Sequence, residues 1–234
     1  MENIEVESKG FWDSCRVPVL LTIVGGAIDT IGFIALFGFF TAHVTGNLVL
    51  AGAAWVKGGP GVWIKLGAIP LFIFTVAITK YCIDRSKIKH ITLCYLFFAE
   101  AIFLIGFMCS GLYFEPFKDP NGITVAVTGG LGLIALAIRN TSSKTLIKHI
   151  SPSTMMTGNT TQLGIDLSHY FKERNTENKQ KLQQSLSIII GFVIGAFLGA
   201  FLYVYLDFWS IAFFIVPVLY LSYLAAKQKI IEPI

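Results

Sequence analysis

Read as an order of apolar and polar positions, the chain is a series of long apolar runs joined by short polar connections. Runs over about residues 17–37, 62–83, 91–112, 123–138, 185–206 and 208–226 approach or exceed the length of roughly 20 residues needed to cross the hydrocarbon layer as a helix. Between them lie a Gly-Gly-Pro-Gly break at 58–61, a basic loop with Arg85, Lys87, Lys89 and His90, and a turn through Glu115, Lys118, Asp119 and Asn121-Gly122. A second basic connection carries Arg139, Lys144, Lys148 and His149, with Ile150-Ser151-Pro152 behind it. The most hydrophilic stretch of the interior is 172–184. Phe11 and Trp12 are expected at the interface, with Pro18 just inside the first turn of a helix.

Two segments break the apolar pattern in the same way. Thr45-Gly46-Asn47 recurs as Thr157-Gly158-Asn159. Ala27-Ile28-Asp29-Thr30 precedes the first copy, Ala137-Ile138-Arg139-Asn140 precedes the second, and a Gly-rich apolar run follows each, around Gly67 and Gly191. A unit used twice is the simplest account. Each tripeptide is expected to open a short helix, over 48–55 and 160–169, with Gly46 and Gly158 making the turn and Thr and Asn capping freed N–H groups.

Charge placement orients the runs. If both Thr-Gly-Asn segments crossed fully, there would be eight spans, and the two basic loops would fall outside when the amino terminus is cytoplasmic, against the positive-inside rule. If each enters and leaves on one side, about six spans remain and the basic loops, 172–184 and the carboxyl end all fall inside. The expected architecture is therefore an all-α integral membrane protein of about six transmembrane helices plus two re-entrant or broken segments. It has a cytoplasmic amino-terminal segment 1–16, one transmembrane domain 17–226, and a tail 227–234. Repeat one covers about 17–113 and repeat two about 122–226, in opposite orientations, an arrangement that transporters use.

Composition agrees: of 234 residues 54% are apolar and 14% charged, against roughly 25% charged in soluble domains. The lipid bilayer is the first expected partner, and homo-oligomers remain open. The net charge of +4 sits in short loops and marks no nucleic-acid surface. Cys15, Cys82, Cys94 and Cys109 are scattered without zinc or redox spacing and read as reduced packing residues. The acidic start, Glu2, Glu5, Glu7 and Asp13 against Lys9, is unlike a signal peptide.

Four ionisable residues interrupt apolar sequence, where a charge costs about 2.5–3.5 kcal/mol on insertion scales and so needs a partner or water. Asp29 is the deepest and the first candidate for coupling or for orienting a solute; Gly25-Gly26 one turn earlier would admit a close backbone. Arg139 aligns with Asp29, so the two could pair, or Arg139 could snorkel from a helix end. Glu100 stands mid-run, either protonated or facing a donor. Asp166 follows Asn159 on one helix face and suits a structural role. His43 is either a proton-sensitive gate or a group that satisfies local backbone. Gly191, Gly195 and Gly199 form a ridge for close helix packing. Two half-helices aimed at the midplane would place Thr45, Gly46, Asn47, Thr157, Gly158 and Asn159 around one solute, small and polar or anionic.

Gly25-Gly26-Ala27-Ile28-Asp29, then His43-Val44-Thr45-Gly46-Asn47, then Met156-Thr157-Gly158-Asn159 with Leu163-Gly164, resembles the YoaK family of bacterial multi-pass membrane proteins of unknown function. The resemblance covers nearly the whole chain. Where that family usually has Asn-Met before Thr-Gly-Asn, this chain has His43-Val44. The resemblance implies the bacterial inner membrane and supplies no substrate. No Gly-x-Ser-x-Gly elbow, zinc helix or intramembrane aspartyl motif occurs, so neither an enzyme nor a cofactor is expected. A small-solute secondary transporter with Asp29 as its coupling residue is the leading expectation. A channel on the same architecture, or a scaffold or sensor without transport, is the alternative.

Overall fold

A computed structural model describes residues 11–147 and 155–230. The expectations for 1–10 and for Lys148, His149 and the Ile150-Ser151-Pro152 connection lie outside the described residues, as do the side chains of Phe11 and Trp12. Eight helices follow in order: α1 Phe11–Ala35, α2 Val44–Lys57, α3 Val62–Arg85, α4 Lys89–Phe114, α5 Ile123–Leu146, α6 Met156–Lys172, α7 Thr176–Leu206 and α8 Ile211–Ala226. A short 3-10 turn, Asp207–Ser210, separates the last two.

Among the described residues five stretches are long and apolar enough to cross a membrane, and one of them, Thr176–Ala226, runs 51 residues. That stretch is two helices. The chain leaves α7 at Asp207, whose φ is 46°, and α8 descends along α4, with Ser222 hydrogen-bonded to the Cys94 carbonyl at 2.9 Å. Phe208 fills the reversal against Gly111, where an added Cβ would come within 2.1 Å of the ring. By contrast α2 has 14 residues, about 21 Å at 1.5 Å per residue, too short to span.

The bundle is held by α1 against α7 and by α4 against α5 and α8; α3 lies on α5 and α2, and α6 on α7. The α1–α7 seam is backbone against backbone. An added Cβ on Gly195 would stand 2.0 Å from the Ile23 carbonyl oxygen, one on Gly199 2.6 Å from the Ala27 Cα, and one on Gly26 2.4 Å from the Phe192 carbonyl oxygen. The glycine ridge is thus met by a glycine on the facing helix. Phe97, Leu104 and Phe107 of α4 form the centre of the core. The outer surface is apolar too, with Trp55, Ile73, Phe74, Phe197 and Val216 all well exposed. Such a surface suits lipid and not water.

Two helices are longer than their apolar runs. α5 continues from the expected end at 138 to Leu146 because its polar residues bond within the helix. Thr141 donates to the Ala137 carbonyl at 2.8 Å and Ser142 to that of Ile138 at 2.8 Å, so these two buried hydroxyls need no partner outside the helix. α7 starts at Thr176 within the hydrophilic stretch. The Asn175 side chain caps it by accepting the Asn178 N–H at 2.8 Å, and Glu177 pairs with Lys181 one turn on at 2.6 Å.

Candidate functional site

α1 ends in a reversal at Phe37 and Gly38, whose φ values are 52° and 78°. Glycine takes such angles freely, whereas phenylalanine takes them at a cost. The connection then folds back along α1 until its far end meets Asp29. There Asp29 Oδ1 accepts the Ala42 N–H at 2.6 Å, with the His43 N–H and the Thr41 hydroxyl both at 3.4 Å. Its Oδ2 faces His43 Nδ1 at 2.6 Å. Asp29 is 3% exposed. The buried carboxylate expected from the sequence is thereby satisfied by the connection it anchors.

Asn47 closes the same loop from the other side. It accepts the Phe40 N–H and donates to the Phe40 carbonyl, each at 2.8 Å. Gly46 makes room for the Phe40 ring, which an added Cβ would approach to 2.9 Å. These roles differ from the expected ones. α2 starts at Val44, so Thr45, Gly46 and Asn47 lie within its first turn, and its cap position, His43, makes no side-chain capping bond. The turn belongs to Phe37 and Gly38, because a glycine in helical conformation cannot reverse the chain.

Beside this loop is an open cleft of about 510 Å³. Asp29, Thr30 and His43 supply its polar wall with Thr45, while Phe40, Val49 and Phe192 supply the apolar one. The His43 ring stands edge-on to both phenyl rings, 5.8 Å from the Phe40 centroid and 5.6 Å from that of Phe192. Its side chain is 32% exposed. An ionised carboxylate only accepts, so Asp29 fixes the proton on Nδ1 and leaves Nε2 as the nitrogen that can gain or lose one.

The second copy is built differently. α6 starts at Met156 with Met155 at the cap position and no side-chain capping bond. Asn159 is buried, while Thr157 and Gly158 are exposed, and an added Cβ on Gly158 would meet nothing within 4 Å. Asp166 is buried, accepting from Gln162 at 2.8 Å and from the Ser185 hydroxyl, which pins α6 to α7. Thr157, Gly158 and Asn159 are not among the residues that line the cleft. Among the described residues α2 packs on α3 and α6 on α7, so this cleft holds the first tripeptide without the second.

Arg139 does not pair with Asp29, nor does it snorkel. It is fully buried and forms an ion pair with Glu100, also fully buried. Arg139 Nη1 donates to the Leu21 carbonyl at 2.9 Å, tying α5 and α4 to α1. The Asp29 carboxylate is engaged instead by the Thr41 hydroxyl, the Ala42 and His43 N–H groups and the His43 ring.

A family described as proteins of unknown function, DUF1275, matches residues 17–224. The chain belongs to this family. Among similar proteins, UPF0700 transmembrane protein YoaK of Bacillus subtilis (strain 168) is 30% identical over 183 residues, 73% of this chain and 76% of that protein. No solved structure matches the chain. A transmembrane relative and long apolar helices make this a multi-pass membrane protein, and its family has no assigned function, so function rests on the cleft. Sequence reasoning singled out both Asp29 and His43 but did not pair them. The repeat gave no signal for His43, because Met155 stands in its place in the second copy.

Proposed function

We propose that this protein is a small-solute secondary transporter of the bacterial inner membrane, with its amino terminus cytoplasmic and its solute in the cleft beside Asp29. In this reading α1, α3, α4, α5, α7 and α8 span, while the short α2 and the more polar α6 enter and leave on one side. The two halves are inverted relative to one another. Several contacts support this layout. The α2–α3 turn lies at the carboxyl end of α1: Lys65 Nζ donates to the Phe37 carbonyl at 3.3 Å. It also meets the start of α5, where the Gly61 N–H donates to Asn121 Oδ1 at 2.9 Å. At the other end Gln228 lies 3.1 Å from His90, so the basic loop and the end of α8 share a side. Half-helices that start beside a cavity are where transporter folds bind solutes and coupling ions.

The observation that carries the reading is a buried carboxylate hydrogen-bonded to a histidine on the wall of an open cleft, at the start of a helix too short to cross. A structural carboxylate needs no titratable partner or cavity. The test is solute uptake into proteoliposomes under an imposed pH gradient. Saturable, gradient-dependent uptake that falls at least tenfold in Asp29→Asn, while Asp166→Asn keeps it, is the expected result. Flux linear in concentration and indifferent to Asp29 would make the protein a channel. Folded protein with no flux for any solute class would leave the scaffold reading.

A further inference from the structure

We propose that the cleft takes an organic cation, an ammonium group with an apolar body, which binds in exchange for a proton on His43. This names the solute class of the cleft above and rests on the transporter reading for the direction of movement alone.

Three observations lead there. The N–H groups leading into α2 are already answered by the protein: the Asp29 carboxylate accepts those of Ala42 and His43, and the Ala42 and His43 carbonyls accept those of Val44 and Gly46. A free anion would therefore meet a fixed negative charge and no unanswered positive one. Secondly, the charge of the cleft depends on one proton. Facing His43 are Asp29 and Thr30 from α1, Phe40 from the connection, Thr45 and Val49 from α2, and Phe192 from α7. Asp29 is the charged member of this set. With His43 neutral the pair carries one negative charge, and with His43 protonated it carries none. Thirdly, the remaining wall is aromatic. Phe40 and Phe192 offer rings to a desolvated cation and cover for its apolar part, and about 510 Å³ is ample for a small molecule.

Cation and proton thus compete for the same negative charge. When a proton joins Nε2 the pair becomes neutral and the cation leaves; when the proton leaves, the cation binds. No covalent bond to the solute forms or breaks. One proton moves one way for each cation moving the other.

The probe is benzyltrimethylammonium, with benzoate as the anion of similar size, titrated calorimetrically into the full-length protein in lipid nanodiscs across the range where histidine ionises. Apparent affinity for the cation is expected to fall about tenfold per pH unit below the His43 midpoint, because only the neutral-imidazole fraction is competent. Proton release per cation bound should approach one well below that midpoint and fall to none well above it. His43→Gln should lose that pH dependence whatever its affinity, Asp29→Asn should bind at least tenfold more weakly at high pH, and Asp166→Asn should behave as wild type. If Asp29→Asn does not fold, the His43→Gln comparison decides alone. Benzoate binding in place of the cation, or cation binding indifferent to pH in the wild type, overturns the inference. Proton-competed binding without flux in proteoliposomes leaves it standing and removes the transporter reading. Flux of another solute with no competition at His43 does the reverse.

Discussion

At the scale of single residues, the informative groups are the ionisable ones that apolar sequence should not hold. Arg139 and Glu100 make the sharper energetic case. Both are fully buried, and Glu100 Oε2 and Arg139 Nε have no hydrogen-bond partner. A pair under such conditions gains little over apolar residues of equal volume, but removing one member strands the other. Arg139→Met and Glu100→Leu should each destabilise the protein by about 3–5 kcal/mol, and the double variant by clearly less than the sum. Thermal unfolding in detergent for the four-member cycle measures this; additive losses would mean that the two charges do not depend on each other. Asp29, Glu100, Arg139 and Asp166 could all be picked from sequence as costly to bury. Their partners could not. Asp29 meets a residue fourteen positions away only because Phe37 and Gly38 turn the chain back, and Arg139 meets Glu100 across a helix interface that no spacing rule encodes.

At the scale of elements, the α1–α7 seam depends on the absence of side chains. Gly195 faces the Ile23 carbonyl with no room for a methyl group, so even Gly195→Ala must push two backbones apart. Gly195→Leu should destabilise the protein by more than the 1–3 kcal/mol typical of overpacking, whereas Gly67→Ala, which meets nothing within 4 Å, should be neutral or better. Comparing their unfolding midpoints checks the seam. The glycine ridge was legible because glycines at every fourth position have one common use in a helix. The length of α5 was not, since Thr141 and Ser142 look like the start of a polar loop until their hydroxyls are seen bonding within the helix. The Thr-Gly-Asn tripeptides were legible as a repeat, and their work was not: Asn47 closes a loop onto Phe40, an interaction that exists only once the chain has doubled back.

At the scale of the whole molecule, the ends of the bundle answer to pH differently from its middle. Glu115, just beyond α4, accepts the Tyr203 hydroxyl of α7 at 3.0 Å. Burial pushes its carboxyl above the ordinary range; the Tyr203 bond opposes that push and the Asp207 carboxylate adds to it. The folded protein therefore holds this proton more tightly than the unfolded chain. Its stabilising contribution is complete below the ordinary carboxylate range and is lost as pH rises through the raised folded value. Glu115→Gln should flatten the dependence of stability on pH within that window, as followed by unfolding at stepped pH; an unchanged slope would assign the dependence elsewhere. The apolar runs made most of this architecture readable in advance. The division of the last stretch into 185–206 and 208–226 was readable too; what hydropathy does not mark is the positive φ at Asp207 through which the chain reverses.

The buried Arg139–Glu100 pair also bears on how the protein is made. α4 carries the acid and α5 the base, and the two are consecutive. Released singly into lipid, each helix would expose a charge costing about 2.5–3.5 kcal/mol; released together, they bring the neutralising partner with them. The two helices are thus suited to leave the insertion machinery as one hairpin, with Glu115 to Gly122 as its bend, and the pair can form before α6, α7 and α8 have been synthesised.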